Sequence, residues 1–296
     1  AEVGVYEVGF QLGPRLNAAG RLERAGAALD LLLAPDAVTA KALALELDQQ
    51  NKERQRTQKE ISDHVIDGLR LRFDPDRDFV IVEGQVRWHL GVVGIVAGRV
   101  KDEFYRPAIV LGGDGDMLRG SGRSIPGFDL AAALRECDDL LADHGGHAMA
   151  SGLTIEPGKL DVFRKRFNMV ASQHMKGVIL KPPLRIDAET TLYELTLARL
   201  RELEDLQPTG QANPSVQLII ANLELQRPPF RMGQEQQHAK LHVTDGALTT
   251  EAVMWNVPDG ETPEGCFDLA AAPSINEFRG QKSVQLKVLD WRPARG

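Results

Sequence analysis

The chain has 296 residues, with 35 Lys and Arg against 42 Asp and Glu, which gives a formal net charge of −7 at pH 7. Apolar residues make up 43% and charged residues 26%, a composition that excludes a fibre and a disordered chain. No apolar run approaches the ~20 residues of a membrane span, so no membrane association is expected. The acidic balance excludes indiscriminate coating of nucleic acid but is compatible with a local basic groove.

The two cysteines, Cys137 and Cys266, lie far apart, and neither belongs to a C-x-x-C pair. This usage argues against a disulfide scaffold or a zinc ribbon and favours a reducing compartment, so a cytoplasmic protein is expected. The chain begins with Ala1 rather than Met and shows no targeting leader. We therefore expect that it starts inside a longer chain.

The first 35 residues predict a Gly-punctuated corner over 9–21 and a short apolar helix over 25–33. From Asp36, an N-cap residue type, a stretch without Gly or Pro predicts one long helix to about Asp67. At ~1.5 Å per residue such a helix spans about 48 Å. Its middle, 48–60, has no apolar side chain, and a helix that is polar all round usually bridges two bodies.

Residues 74–176 alternate apolar strands with helical segments, which predicts an α/β domain. A Gly-Gly corner is expected at 145–146. The expected strands are 78–82, 107–111, 118–124 and 152–155, and the expected helices are 91–104, 129–141 and 159–175.

After a linker-like composition at 176–183, short strands with turn signals between them predict a five- or six-stranded barrel with one helix at 196–206. Small Greek-key barrels of this size often bind oligonucleotides. The fold class is therefore α/β plus β. The expected strands are 184–186, 217–225, 240–243, 251–255, 269–271 and 283–289.

Several common catalytic motifs are missing from the sequence. It contains no G-x-x-x-x-G-K-[ST], no G-x-S-x-G, no H-E-x-x-H and no G-x-G-x-x-G after a strand. An ATPase, a serine hydrolase, a zincin and a Rossmann dehydrogenase are therefore not supported.

The segment 118–124 has the residue types of a phosphate clasp. Gly122 permits close backbone approach, Ser121 and Ser124 offer hydroxyls, and Arg123 supplies a planar fork for an oxyanion. A Gly-rich hairpin with an exposed arginine explains the same pattern equally well.

Histidines mark two further candidate sites. In the segment 144–147, Gly145 and Gly146 would let the His147 ring approach a ligand, although a lone histidine is more often a core or turn residue. His89 stands just before a predicted helix N-terminus, where it would lie near an anion site or would simply cap the helix.

Asn17 and Arg21 are four residues apart around an Ala-Ala-Gly segment. On a helical turn they would project an amide and a guanidinium toward the same phosphate. Plain helix packing by the small residues between them is an equal alternative.

The predicted barrel contains rings and cations of the kind that single strands use for stacking and charge, although each aromatic alone is more often a core residue. These candidates are His238, Lys240, Trp255, Phe278 and Arg279, together with Phe230 and Lys282.

Taken in order, six segments of the sequence resemble the RecJ family of single-strand-specific 5′-to-3′ exonucleases, within the DHH phosphoesterase superfamily. The resemblance covers almost the whole chain, with departures at Thr209 and Ala239. The segments are 13–21 (GPRLNAAGR), 48–54 (DQQNKER), 88–97 (WHLGVVGIVA), 120–125 (GSGRSI), 145–153 (GGHAMASGL) and 275–280 (INEFRG).

The resemblance implies the end of a DHH domain at 1–35, a connecting helix at 36–73, a DHH-associated α/β domain at 74–176 and an OB-fold at 177–296. The Asp-His-His signature is absent, because Asp-His occurs only at 63–64 and 143–144 and is followed by other residues. The Mn²⁺ or Mg²⁺ ions of the family would therefore be bound by a DHH domain outside this chain, and no residue of this chain is expected to be a metal ligand.

The implied reaction is metal-dependent hydrolysis of single-stranded DNA to 5′-mononucleotides, in repair and recombination. In it, Arg123 with Ser121 and the Gly122 amide would hold a phosphate, Asn17 and Arg21 would brace it, and His147 would donate to phosphate oxygens.

The implied partners are single-stranded DNA, the DHH domain of the same protein, a helicase and a single-strand-binding protein. Two alternatives stay open. The isolated chain would be a non-catalytic module that binds single-stranded DNA, or the protein would be a DHH-family phosphodiesterase acting on oligonucleotides or cyclic dinucleotides. Relatives of the second kind generally lack the trailing barrel.

Overall fold

The computed structural model describes residues 3–22, 25–113, 115–258 and 260–294. The chain divides into two compact units, Ala1–Pro182 and Pro183–Gly296. Within the described residues, no helix combines the length and the apolar character that crossing a bilayer requires.

The first unit combines helices with a five-stranded sheet. Its helices are α1 (Gly13–Leu22), α2 (Gly26–Leu32), α3 (Ala37–Arg72), α4 (Leu90–Phe104), α5 (Leu130–Arg135) and α6 (Leu160–His174). Its strands are β1 (Ile81–Gly84), β2 (Ala108–Gly112), β3 (Leu118–Arg123), β4 (Asp143–His147) and β5 (Ala150–Ile155). A π-helix, Glu7–Leu12, precedes α1, so the expected Gly-punctuated corner is helical.

The long helix α3 begins where the sequence predicts, because the Asp36 side chain accepts hydrogen bonds from the amides of Val38 and Thr39 at 2.9 and 2.8 Å. It continues past the predicted end at Asp67 and through Gly68 to Arg72. Burial of Leu69, which is 5% exposed, holds the last turn in place and outweighs the helix penalty of one glycine.

The centre of α3 is not polar and solvated all round, which corrects the sequence-based prediction. Gln50 and Asn51 are buried at 7% and 3% exposure, and α1 packs against this half of the helix. The Asn51 Oδ1 atom accepts hydrogen bonds from the Arg54 guanidinium, and Asp48 pairs with Arg15 at 2.8 Å. Polar side chains can be buried here because they bind one another.

Ser62 of α3 is fully buried, and its Oγ atom has no hydrogen-bond partner within the described part of the chain. Because an unsatisfied buried hydroxyl costs about 1–3 kcal/mol, Ser62→Ala is expected to raise the free energy of unfolding by about 1 kcal/mol. Urea denaturation measures this change. Ser172→Ala is the matched control in α6, where the hydroxyl donates to the Met169 carbonyl at 2.8 Å. An equal increase in the free energy of unfolding for Ser172→Ala would contradict this prediction.

The sheet of the first unit has the strand order β1-β2-β3-β5-β4, in which β1 and β2 are parallel and the other pairs are antiparallel. One face packs against α3 and α4 through residues such as Ile81, Val110 and Val96. The other face packs against α5 and α6 through residues such as Ile109 and Phe163. This layered arrangement confirms the predicted α/β domain.

Three elements of this unit differ from the prediction. The strand β1 starts at Ile81 rather than at 78, because the amides of Phe79 and Val80 donate to the Asn168 side chain. The helix predicted over 129–141 ends at Arg135 and is followed by a short 3₁₀ turn. The expected corner at 145–146 lies inside the edge strand β4, which pairs along its whole length with β5.

Within its described residues, the second unit contains one helix, α7 (Leu197–Glu204), and a seven-stranded sheet in the order β6-β7-β11-β12-β10-β9-β8, with a further pairing of β7 with β9. The predicted β-rich domain with one helix is thereby confirmed, although its sheet has seven strands rather than five or six. The strands are β6 (Ala188–Thr190), β7 (Leu218–Leu225), β8 (Phe230–Met232), β9 (His238–Thr244), β10 (Thr249–Met254), β11 (Phe267–Phe278) and β12 (Gln281–Pro293).

Two short strands at the sheet edges differ from the prediction. The first strand of this unit is β6 at 188–190 rather than at 184–186, because pairing with β7 begins at Ala188 opposite Leu218. The strand β8 was not predicted, since it is only three residues long and follows Pro228 and Pro229. The core of this unit is formed by buried side chains of β7, β9, β10, β11 and β12, and α7 adds the buried Leu200.

Candidate nucleic-acid interface

The strand β3 carries two faces of different character. Ser121 pairs with Val110 and Arg123 pairs with Ala108, which places both side chains on the α4 face of the sheet. The glycines point to the opposite core, where a Cβ atom on Gly122 would lie 2.6 Å from the Leu130 Cδ2 atom. Gly122 therefore serves packing, and its amide lies in an interior strand between β2 and β5 rather than on an open loop.

The Arg123 guanidinium is held by local contacts that leave part of it available. Its Nη1 atom donates to the Ser121 Oγ atom and to the Gly122 carbonyl, each at 2.8 Å. Its Nε and Nη2 groups have no hydrogen-bond partner within the described residues. A Cβ atom on Gly94 of α4 would lie 3.0 Å from the Ser121 Oγ atom and 3.1 Å from the Arg123 Nη2 atom. The side chains of Ser121 and Arg123 therefore fit against α4 because Gly94 has no side chain.

The same sheet face continues from β3 across β5 to β4. The ladder places Arg123 beside Ala150 and Ala150 beside His147. Because neighbouring strands lie about 4.8 Å apart, the Cα atoms of Arg123 and His147 are separated by about 10 Å. Gly152 and Gly145 form the next row and are exposed. The result is a shallow surface of small residues with a guanidinium on one side and an imidazole on the other.

The backbone of this surface is well fixed. Gly146 has a φ of +139°, and a Cβ atom there would lie 2.5 Å from the Ala150 carbonyl oxygen, so only glycine fits. The buried Ser151 donates its hydroxyl to the His147 carbonyl at 3.1 Å. His147 itself is exposed. The glycines thus permit the hairpin geometry that presents His147 at the surface.

Ser124 does not belong to this surface, which corrects its assignment from the sequence. It is 2% exposed, and its hydroxyl donates to the Phe128 carbonyl at 2.7 Å. Its amide donates to the Met149 carbonyl. Ser124 therefore holds the turn after β3 and has no hydroxyl to offer a ligand.

The helix α1 brings Arg21 close to the same region. A Cβ atom on Gly91 would lie 1.8 Å from the Arg21 carbonyl oxygen, so the two backbones are in direct contact. The Arg21 guanidinium also donates to the Gly91 carbonyl at 3.3 Å. Gly91 and Gly94 are one turn apart on α4, so Arg21 and Arg123 lie at successive turns of one helix face. Asn17 is exposed one turn before Arg21 on α1.

Arg54 of α3 is a further cation that the sequence reasoning missed. Burial, and then the nearby charge of Arg21, lower the pKa of Arg54. An anion near both guanidiniums would reduce their repulsion. The signal in the sequence was the spacing of Asn51, Arg54 and Gln58 along one helix face, which the structure shows as hydrogen bonds.

His89 caps α4, as the simpler interpretation of the sequence proposed, because its Nδ1 atom accepts a hydrogen bond from the Gly91 amide at 3.1 Å. It also lines a surface pocket of about 370 Å³ together with Arg21 and Arg87. Arg87 was not predicted from the sequence, and its φ of +82° is unusual for a residue other than glycine.

In the second unit, a groove of about 510 Å³ brings together several of the predicted rings and cations. Trp255 is 52% exposed and Phe278 is 65% exposed. The His238 ring lies edge-on to Trp255 at 4.6 Å between centroids, and the Arg279 guanidinium lies 5.2 Å from the Phe278 centroid. The groove is lined by Met232, Lys240, Glu251, Val253, Trp255, Asn276, Phe278, Gln281, Lys282, Ser283 and Gln285.

Carboxylates that the sequence reasoning missed lie beside both lysines of this groove. The Glu251 carboxylate accepts hydrogen bonds from Lys240, at 2.8 Å, and from Gln285. Burial alone would raise the pKa of Glu251, but the hydrogen bonds from Lys240 and Gln285 outweigh it and lower the pKa. Lys282 pairs with Glu277 at 3.5 Å. Strand alternation was the available signal, since Ala252 faces the core and Glu251 faces outward.

His242 lies opposite Glu251 on the outer face. Burial and then the Arg227 charge lower the pKa of His242 below 6.5, so the folded protein favours the neutral ring. The unfolded chain therefore binds this proton more readily, and stability is expected to fall as the pH drops below 6.5 toward the lowered pKa of the folded state. The free energy of unfolding should fall less with decreasing pH in His242→Gln, as measured by urea denaturation at several pH values. An identical pH profile in the variant would contradict this prediction.

Comparisons with known proteins define the class to which these two units belong. Residues 77–173 match the DHHA1 domain family, and residues 186–290 match the RecJ OB domain family. The protein is therefore one with a DHHA1 domain followed by an OB domain.

The chain is 35% identical over 294 residues to the single-stranded-DNA-specific exonuclease RecJ of Bacillus subtilis, covering 98% of the chain and 37% of that relative. It also resembles crystal structures of Thermus thermophilus RecJ in complex with Mg²⁺ and with Mn²⁺. Each has a TM-score of 0.82, with 27% and 28% identity, and the chain covers 44% and 42% of them. The chain thus carries domains that match the DHHA1 and RecJ OB families, and it spans less than half the length of these relatives.

Proposed function

We propose that this chain is the phosphate- and strand-binding part of a metal-dependent exonuclease that degrades single-stranded DNA from the 5′ end, in repair and recombination. The observation that carries the proposal is the α4 face of the sheet, where Arg123, Ser121 and His147 surround exposed glycines. The choice of single-stranded DNA as the substrate is supported by the single-stranded-DNA-specific exonuclease RecJ of Bacillus subtilis, to which 98% of this chain aligns.

The residues of this chain bind a phosphate of the DNA strand and orient it. Arg123 offers its free guanidinium face to a phosphate oxygen, and Ser121 sets the angle of that guanidinium. Arg21 and Arg54 add positive charge from α1 and α3, with Asn17 beside them. His147 donates a ring N–H to a phosphate oxygen from the opposite side of the surface. Holding the phosphate in this way lowers the entropic cost of bringing the scissile bond to its attacking water.

The metal ions of the reaction do not fit the present residues. Among the described positions there is no group of three or more His, Cys, Asp or Glu side chains that could hold a metal ion. The histidine of the 143–144 pair binds Asp138 instead, at 3.0 Å. The solved Thermus thermophilus RecJ proteins are complexes with Mg²⁺ and Mn²⁺. We therefore assign Mn²⁺ or Mg²⁺ to a DHH domain outside this chain.

The same donor set supports a second function for the isolated chain, as a module that binds single-stranded DNA without hydrolysing it. A DHH-family phosphodiesterase for short or cyclic nucleotides is less consistent with the match to a RecJ OB domain.

Incubation of 5′-labelled single-stranded DNA with the 296-residue chain and Mn²⁺ tests the proposal, with binding and product release followed in the same samples. We expect a retarded complex and no mononucleotides from the isolated chain. A longer protein that includes a DHH domain is expected to release mononucleotides from the 5′ end. Failure of the chain to bind single-stranded DNA would refute the binding role, and release of mononucleotides by the chain alone would refute the assignment of the metal site.

A further inference from the structure

The cations of the OB groove are neutralised within the protein. The two lysines that line the groove, Lys240 and Lys282, form ion pairs with Glu251 and Glu277 at 2.8 and 3.5 Å. These four residues have no formal net charge together. A groove that grips a phosphate backbone by charge would instead present unpaired cations.

The pair of Lys240 with Glu251 resists exchange with a phosphate. Its side chains are only 35% and 25% exposed, and Gln285 donates a further hydrogen bond to the same carboxylate. If Lys240 turned to a phosphate, it would leave a half-buried Glu251 carboxylate without its counterion and beside a second anion. Lys240 is therefore expected to stay bound to Glu251 when a strand enters the groove.

The aromatic rings of the groove are, in contrast, uncovered. Trp255 and Phe278 are 52% and 65% exposed. The Trp255 ring is held by His238, whose Nδ1 atom accepts a hydrogen bond from the Asn256 amide at 3.0 Å. Exposed rings held in place by their neighbours suit the stacking of bases, which every base can make.

We propose that the OB groove holds single-stranded DNA by stacking bases on Trp255 and Phe278, and that Lys240 neutralises no phosphate. This inference rests on the proposed function, because it specifies how the strand that the chain binds is recognised. Arg279 beside Phe278 is the cation at this site that forms no ion pair among the described residues. Because Lys240 stays paired with Glu251, it contributes little to the salt dependence of binding, and the rings accept bases of any sequence.

Salt titration of the whole 296-residue chain with an oligothymidylate tests this mode. On single strands, each phosphate neutralised by a protein cation contributes about −0.7 to the slope of log K against log salt concentration. The double variant Lys240→Gln with Glu251→Gln removes the ion pair and keeps the groove neutral, so its slope should equal that of the unchanged chain. Glu251→Gln alone releases Lys240 and should steepen the slope by about 0.7. Cations elsewhere in the chain contribute equally to all variants and cancel in the comparison.

The aromatic contribution is measured separately. Trp255→Ala is expected to weaken binding by about 5- to 150-fold at every salt concentration, with an unchanged slope. The control is Tyr193→Ala, which removes another exposed aromatic ring of the second unit, 79% exposed, outside the groove, and should bind normally. An abasic strand of the same length should bind the unchanged chain more weakly than the oligothymidylate, and Trp255→Ala should reduce that difference.

The outcomes separate this inference from the function on which it rests. A double variant whose slope is about 0.7 shallower would show that Lys240 neutralises a phosphate and would overturn the inference while leaving DNA binding intact. Equal binding of abasic and normal strands would also overturn it. A chain that binds no single-stranded DNA at any salt concentration would overturn the proposed function and this inference together. Urea denaturation of each variant confirms that the fold is retained.

Discussion

In the full-length protein that contains this chain, replacement of Arg123 by Ala is expected to lower kcat/KM for single-stranded DNA by about 10²- to 10³-fold, the loss found when one preorganised donor to developing charge is removed. Arg123 is held by Ser121 in an orientation that leaves Nε and Nη2 available. Steady-state release of mononucleotides measures the loss. Arg123→Lys keeps the charge but lacks the planar fork, so its kcat/KM should lie between that of the unchanged protein and that of Arg123→Ala.

The matched control for this prediction is Arg119→Ala, which changes the same residue type at the other end of β3. Arg119 lies about 13 Å from Arg123 along the strand and is exposed. Its replacement should change kcat/KM by less than about threefold, the size of an ordinary screened surface charge. Unchanged turnover in Arg123→Ala, or an equal loss in Arg119→Ala, would remove Arg123 from the proposed site.

The second large effect is expected from Gly91→Ala in α4. The added Cβ atom would lie 1.8 Å from the Arg21 carbonyl oxygen, so α1 and α4 must separate. Overpacking of this kind costs about 1–3 kcal/mol, and the displaced Arg21 should weaken binding of a single strand by the chain. Urea denaturation and a DNA-binding titration measure the two consequences.

Gly98→Ala in the same helix is the control, because a Cβ atom at Gly98 meets nothing within 4 Å. Here the substitution should stabilise the protein by up to about 1 kcal/mol, since alanine favours the helix over glycine. Opposite signs for two identical substitutions in one helix are a stringent test of the α1 contact. Stabilisation of both variants would contradict the contact between Arg21 and Gly91.

Local signals in the sequence were sufficient for many elements of the fold. The Asp36 cap placed the start of α3, and His89 and Asp129 precede their helices as caps. The polar centre of α3 was misjudged because burial of Gln50 and Asn51 depends on a partner helix far away in sequence. Periodicity reports the chemistry of a face, but it does not report which other element covers that face.

The candidate site was predictable to the extent that residue types reveal chemistry. Arg123 and Ser121 are proposed because a guanidinium and a hydroxyl two residues apart suit a phosphate, and the structure brings the two side chains into contact. Gly94 was missed as a contributor, because its role follows from the packing of α4 on β3, which no local pattern encodes. The assignment of Ser124 to the site was wrong, because its hydroxyl donates to the Phe128 carbonyl in a turn that forms only in the folded chain.

The backbone contact between Arg21 and Gly91 joins two segments that are 70 residues apart in the chain. Because no side chain fits at Gly91, this residue cannot be substituted while α1 stays in place. A substitution that shifts α1 therefore requires a compensating substitution in the first turn of α4. Redesign of the proposed phosphate site is therefore better directed at Asn17, which is exposed. Changes there alter chemistry without moving a helix, so single substitutions rather than coordinated sets are sufficient to explore it.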